Sequence, residues 1–156
     1  MTAALDLPRR LALSYSVLAR GLYDPSSEGD APYAPLGVAF DPAQELTPVT
    51  FRAALNLASF WDIDPSYGDE NGDEWFADRI AYSRDPSGGD NPNEAVAYEY
   101  LQHAMHATLD GALENWVVSV WNKDQGYSRF YYSRRYIFGR VENGGLAGLV
   151  ARLVWT

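Results

Sequence analysis

The late strands of this chain are apolar on both faces, and this feature constrains the fold more than any other. In WVVSVW, Trp116, Val118 and Val120 fall on one face, and Val117 and Trp121 on the other. The final apolar segment, LAGLVARLVW, is also largely apolar on both faces. Because such strands must be covered on both sides, the sheet needs helices on either face. Short turns join the late strands, which predicts a mainly antiparallel sheet.

Helix signals at three places supply this cover. The first helix is predicted from Asp6, an N-cap with a proline close behind it, to a stop at Gly21. The second begins after Thr47, again followed by proline, and the third runs from about Glu94 to Leu113. The expected fold is therefore α+β, a three-layer α/β/α sandwich around a mainly antiparallel central sheet.

The composition indicates one folded domain over residues 1–156. Five Trp and eleven Tyr argue against a disordered chain, and the absence of cysteine excludes disulfides and thiolate metal sites. No apolar run approaches the roughly 20 residues that cross a bilayer, so a cytoplasmic protein without membrane contact is expected. The net charge of −9 argues against direct nucleic-acid binding and favours a basic protein partner or simple solubility.

Residues 62–92 form the least regular stretch of the sequence. Seven acids and no base lie between Asp62 and Asp78. The spacing of Asp62, Asp64 and Ser66 is that of the first ligands in a calcium loop, but no glycine follows where the EF-hand turn needs one. The sequence therefore favours a solvated acidic loop.

A polar stripe on the third predicted helix offers an alternative function. Glu99, His103, His106 and Asp110 are three or four residues apart, so a helix would place them on one narrow face. Imidazole and carboxylate are ordinary zinc ligands, which makes a metal-binding enzyme one hypothesis. The stripe lies opposite the apolar face of the helix, however, where Glu–His and His–Asp pairs exposed to solvent are the simpler interpretation.

Other signs of catalysis are weak. There is no cysteine, no G-x-S-x-G elbow and no histidine outside the polar stripe to activate a serine. Phosphate-binding glycine loops are missing too, because GRVENGG precedes a strand and not a helix. The chain is expected to be a binding protein that needs no cofactor, and not an enzyme.

The segment 123–140 runs against the overall charge, with five bases interleaved with aromatic residues. Such a pattern suits single-stranded nucleic acid, whose bases stack on exposed rings. Phe130, Tyr132, Tyr136 and Phe138 nevertheless fall on one strand face, where packing in the core explains them equally well.

The final 21 residues, YIFGRVENGGLAGLVARLVWT, resemble the C-terminal segment of the nuclease A inhibitor family. The shared elements are the strand end at 136–139, the Gly-Leu-Ala-Gly run at 145–148, Arg152, Val154 and the terminal Thr156. The distance from the strand end to the end of the chain matches without a gap.

Upstream the resemblance continues more loosely. Gly21 and Leu22, then Ser27 and Glu28, and then Tyr33 are similar to the family's first loop. The YSR tripeptide at 82–84 and the NEAVAYEYLQ helix also have counterparts in the same order.

The resemblance implies a sandwich related to the pathogenesis-related-1 fold (PR-1-like). It also implies an inhibitor of a basic, sugar-nonspecific, magnesium-dependent nuclease of the ββα-metal type. In that family the C-terminal carboxylate approaches the catalytic metal through water, and a glutamate in the first loop joins it. On this chain those roles fall on the carboxylate of Thr156 and on Glu28.

One departure concerns the tryptophan that the family inserts into its partner from the loop before the third helix. The matching loop here, DPSGGDNPN, has no aromatic residue. Trp75 lies earlier in the chain and is the candidate replacement among the partner-binding residues. Because of this departure, an interaction module with a partner other than a nuclease is a further alternative.

Overall fold

The computed structural model describes residues 3–25, 31–122 and 129–154. Four α-helices and five β-strands follow one another in the described part of the chain: α1 (Ala3–Leu18), β1 (Tyr33–Val38), α2 (Pro48–Leu55), β2 (Asp62–Asp64), α3 (Gly72–Arg84), α4 (Pro92–Thr108), β3 (Asp110–Asn122), β4 (Arg129–Arg140) and β5 (Leu146–Val154). No helix within these ranges has the length and apolar character that crossing a membrane requires.

The five strands form one sheet in the order β1-β5-β4-β3-β2, and every neighbouring pair is antiparallel. The prediction of a mixed α+β protein with an antiparallel sheet is confirmed. β5 pairs with β1 on one side and β4 on the other, so the last strand lies inside the sheet and not at its edge. Its apolar sequence follows from this position, because an inner strand exposes little of its length to water.

Alternate residues of the inner strands enter two separate hydrophobic clusters. Ile137 packs in a cluster that includes residues of α1, α3 and α4, whereas Tyr136 and Phe138 pack in a second cluster with Phe51 of α2. Successive side chains of a strand point to opposite faces, so the two clusters lie on opposite sides of the sheet. We call these sides the three-helix face and the α2 face.

The N-terminus of α2 forms where the Thr47–Pro48 signal predicts it. The Thr50 backbone N–H donates to Thr47 Oγ1 at 3.2 Å, and the Thr47 N–H donates to Thr50 Oγ1 at 2.8 Å. This reciprocal capping box satisfies backbone donors that the first helical turn leaves free. The helix has eight residues, and the fully buried Phe51 joins it to the rings of Trp116, Tyr136 and Phe138.

Two predicted helix boundaries are wrong. The helix α1 already includes Ala3, so Asp6 lies within it and is not its cap. The helix α4 ends at Thr108, whereas the prediction carried it to Leu113. Leu109, Ala112 and Leu113 are apolar at a spacing that continues the helical pattern. Gly111, however, has a φ of 75°, in the left-handed region that breaks a helix, and β3 begins at Asp110.

The stretch predicted as an irregular acidic loop contains a helix. The helix α3 occupies Gly72–Arg84, and Asn71 caps it by accepting from the Glu74 N–H at 2.9 Å, while the Glu74 carboxylate accepts from the Asn71 N–H. Asp73 and Glu74 lie in its first turn, where their negative charges interact favourably with the positive end of the helix dipole. Part of the acidic charge therefore stabilises a helix start and does not belong to a loop.

Candidate partner-binding site

Two of the three predicted partner-binding residues, Glu28 and Thr156, lie outside the described residues. Residues on either side of Glu28 and before Thr156 lie at one end of the sheet. At the end of β5, Val154 pairs with Tyr132 of β4, and on the other side Ala151 pairs with Tyr33, the first residue of β1. Because β1 and β5 are antiparallel, the chain enters β1 at the end of the sheet where β5 terminates. We call this the terminal end of the sheet.

The loop that contains Glu28 has a closed base at this end. Tyr23 and Pro32 form an isolated antiparallel bridge, and the Asp24 N–H donates to the Ala31 carbonyl at 2.9 Å. The residues on either side of the loop therefore lie next to each other. They and the described end of β5 lie at the same end of the sheet.

A buried ion pair anchors the base of the loop. Arg135 Nε donates to Asp24 Oδ2 at 2.6 Å, and the two side chains are almost completely buried. The same guanidinium donates through Nη1 to Asn115 Oδ1 at 2.7 Å, and the Asn115 amide donates in turn to the Glu70 carbonyl. This network joins the loop base to β4, to β3 and to the segment before α3. A buried charge costs several kcal/mol unless it is paired, so each member holds the others in place.

Trp75, the third predicted residue, lies in the core on the three-helix face. It is 3% exposed and packs edge-on against Tyr33, Phe76 and Tyr98, with ring centres 5.1–6.1 Å away. The Arg135 guanidinium carbon lies 6.0 Å from its ring centre. The reason for this placement is that Trp75 belongs to α3 and faces the sheet. Its indole offers almost no surface for a partner, and it does not replace the family's exposed tryptophan.

A cavity of about 390 Å³ lies beside the buried network. Its lining includes Glu70, Trp75, Arg79 and Arg135. Burial, followed by a hydrogen bond and charge repulsion from Asp78, raises the pKa of Glu70 to about 7. Between its ordinary pKa of 4.5 and about 7, Glu70 binds a proton in the folded protein but not in the unfolded chain. The folded state is therefore destabilised as the pH rises through this window.

Replacing Glu70 by Gln is expected to remove this pH dependence. The free energy of unfolding near pH 8 should rise by about 1 kcal/mol, a value kept small because solvent reaches the group and screens it. Urea denaturation at about pH 5 and pH 8 measures the difference. Glu45→Gln, at an exposed position, is the matched control and should leave the pH profile of the wild type unchanged. An identical profile for Glu70→Gln and the wild type would contradict the assignment.

The polar stripe predicted on the third helix does not form a ligand group. Glu99 forms an ion pair with Arg84, and Asp110 lies in β3, beyond the end of the helix. His106 hydrogen-bonds to Asp73 of α3. Throughout the ranges that the structure describes, no three His, Asp or Glu side chains come together as metal ligands do. The alternative of a metal-binding enzyme built on these four residues loses its geometric basis.

Asp73 is a structural carboxylate between α3, α4 and β3. It accepts hydrogen bonds from His106, from Gln102 at 3.0 Å and from the Leu113 backbone N–H at 3.3 Å. Burial acts to raise the pKa of Asp73, but these hydrogen bonds outweigh it and the pKa falls below its ordinary value. Asp73 therefore joins the last turns of α4 to α3 and β3.

The described part of the basic and aromatic segment is the strand β4, whose successive residues alternate between the two faces of the sheet. Tyr136 and Phe138 are buried on the α2 face, as the core interpretation predicts, but Tyr132 is 64% exposed. For Tyr132 that interpretation is wrong, because most of its side chain is exposed. Residues 123–128 and the side chain of Phe130 lie outside the described part.

Sequence reasoning missed the Asp24–Arg135–Asn115 network. Alternation along β4 contains a signal for it, since Arg135 falls on the same face as the buried Ile137. A buried arginine requires an anionic partner. The alternation does not show which of the 21 acids in the chain supplies it.

In comparisons with known proteins, no family model and no curated sequence matches this chain.

Proposed function

We propose that this chain is an acidic protein inhibitor of a sugar-nonspecific, magnesium-dependent nuclease of the ββα-metal type. The observation that carries the proposal is the geometry of the terminal end of the sheet. The loop with Glu28 and the strand that leads to Thr156 both emerge there. These are the two residues to which the resemblance to the nuclease A inhibitor family gives the inhibitory roles, Thr156 in the last 21 residues and Glu28 in the more loosely similar first loop.

The chemistry of such a partner favours anions at this end. A nuclease active site is basic and holds a divalent cation where the phosphate of DNA binds. A carboxylate from Thr156, joined by the Glu28 carboxylate, would occupy the phosphate position without offering a bond to cleave. The net charge of −9 supports the association, because opposite overall charges accelerate the encounter of two proteins.

The anchoring of both segments favours tight binding. Backbone hydrogen bonds hold β5 between β1 and β4, and the buried Asp24–Arg135 pair holds the base of the loop. Because residues beside the two proposed contacts are held in place, less conformational entropy is lost when those contacts form. The proposed plug does not require the buried Trp75.

The finer fold that we propose is a three-layer α/β/α sandwich related to the pathogenesis-related-1 fold. Its support is the pair of hydrophobic clusters on opposite faces of the sheet, one with residues of α1, α3 and α4 and one with α2. The inner position of β5 also supports the proposed inhibition. A strand that is held by neighbours on both sides presents its end at a fixed place.

A titration tests the proposed function. The protein is added to a ββα-metal nuclease that degrades DNA in a large excess of magnesium, so that an acidic protein cannot act by removing the metal. Loss of cleavage with a sharp endpoint near one inhibitor per nuclease is the expected result. Undiminished cleavage at a severalfold excess of the protein would overturn the proposal, and binding without inhibition would favour an interaction module.

A further inference from the structure

Two arginines lie directly opposite each other on the α2 face. Arg134 of β4 and Arg152 of β5 are register partners, and their face is that of the buried Tyr136. Like charges directly opposite on neighbouring strands destabilise a sheet. Within the described ranges neither arginine forms an ion pair with an acid. The sheet therefore concentrates positive charge at one point of a protein whose net charge is −9.

One guanidinium of this pair lies over an aromatic ring. The guanidinium carbon of Arg134 lies 4.6 Å from the ring centre of Trp61, and Phe60 stacks on the same indole at 5.8 Å. A cation–π contact of this kind holds the cation close to the ring. The N–H groups of an arginine bind carboxylates and phosphates in pairs.

The arginine pair borders a cavity of about 280 Å³ between the C-terminal end of α2 and the sheet. Apolar side chains form most of the remaining lining, among them Leu36, Leu57 and Val150, and no acid belongs to it. The C-terminal end of a helix carries partial negative charge, which would repel an anion. In α2, however, Arg52 lies in the last turn, and the Asn56 N–H donates to the carbonyls of Arg52 and Ala53. The cavity thus combines an apolar wall with two cations.

We propose that this cavity binds a small amphipathic anion, a short alkyl or aryl body with a carboxylate or phosphate group. The anionic group lies between Arg134 and Arg152 and relieves their repulsion, while the apolar body contacts the wall formed by α2 and the sheet. Bidentate hydrogen bonds from arginine give such a site both affinity and orientation. The site does not depend on Glu28, Thr156 or the proposed inhibition, so either inference can fail without the other.

A titration followed by NMR tests this site on the full chain. Octanoate and octyl phosphate are the probes, and octanol and octylamine are matched compounds without the anionic group. Both anions are expected to shift the Trp61 indole and the backbone amides around Arg134 and Arg152, with saturation at millimolar concentration or below. Octanol should bind at least about tenfold more weakly, and octylamine should give no saturable shift at these positions.

Variants locate the effect. Arg134→Gln/Arg152→Gln is expected to weaken octanoate binding by at least about tenfold. Arg10→Gln/Arg20→Gln removes the same charge from two exposed positions, one in α1 and one just after it, and should bind octanoate as the wild type does. Without ligand, Arg152→Gln should raise Tm by about 1–3 °C because the repulsion is removed.

Three outcomes would overturn the proposal. The first is equal binding of octanol and octanoate by the wild type, a comparison that needs no variant. The second is unchanged octanoate binding by the folded Arg134→Gln/Arg152→Gln protein. The third is a stronger response of the same residues to oligo(dT) than to octanoate, which would assign the surface to single-stranded nucleic acid.

Discussion

Replacing Asp24 by Ala is expected to lower the free energy of unfolding by about 3–5 kcal/mol, the usual cost of leaving one partner of a buried ion pair alone. Arg135 is 3% exposed, so water cannot replace the lost carboxylate at its Nε. Urea denaturation followed by circular dichroism gives the free energy directly. The loss should exceed that of an ordinary surface substitution severalfold.

Two further variants separate the charge from the packing. Asp64→Ala, at an exposed position in β2, is the matched control and should change the free energy of unfolding by no more than about 0.5 kcal/mol. The double variant Asp24→Leu/Arg135→Met removes both charges and should be more stable than Asp24→Ala. If Asp24→Ala costs no more than Asp64→Ala, the ion pair is not what anchors the loop base.

Extending the chain beyond Thr156 by three residues, Gly-Ser-Gly, is expected to abolish inhibition without unfolding the domain. The extension moves the terminal carboxylate away from the end of β5 and places neutral backbone where the anion is needed. Loss of a central contact of this kind weakens binding by roughly 100-fold or more, about 3 kcal/mol. The inhibition constant in the DNA-degradation assay measures the change.

The same three residues added before Met1 form the control. That protein should inhibit as the unmodified chain does, and both extended proteins should keep its Tm within about 1–2 °C, because no described core contact is altered. Full inhibition by the C-terminally extended protein would rule out the terminal carboxylate as the plug. The proposed site would then reduce to Glu28 and its loop.

The elements predicted best from sequence are those with a local physical signature. Apolar residues on both faces of β5 predict cover on both faces, and β5 contributes Leu149 to one hydrophobic cluster and Leu146 to the other. The Thr47–Pro48 pair fixes the start of α2, because a capping side chain acts within one turn. The helix α3 had a similar signature in Asn71 and Glu74, but its buried residues, Trp75, Phe76 and Ser83, do not recur as an apolar stripe.

The site was less predictable because it depends on contacts between distant parts of the chain. The ion pair joins Asp24 to Arg135 across 111 positions, and no local pattern specifies such a pairing. Trp75 shows the same dependence on distant contacts. It was the candidate replacement for the tryptophan of the similar family, but Tyr33 and Tyr98, which belong to other elements, enclose it. Exposure of a single aromatic side chain is set by its tertiary neighbours, and sequence alone does not give them.

Hydrogen–deuterium exchange of the chain, alone and with an inhibited ββα-metal nuclease, tests the central claim most directly. The proposal predicts slower exchange in peptides that cover residues 22–32 and 150–156 when the nuclease is bound. Peptides that cover residues 38–48 and 140–146 should exchange at unchanged rates, because they lie at the opposite end of the sheet, where Val38 pairs with Leu146. Protection of these peptides, with unchanged exchange in the two predicted segments, would contradict the proposed binding mode.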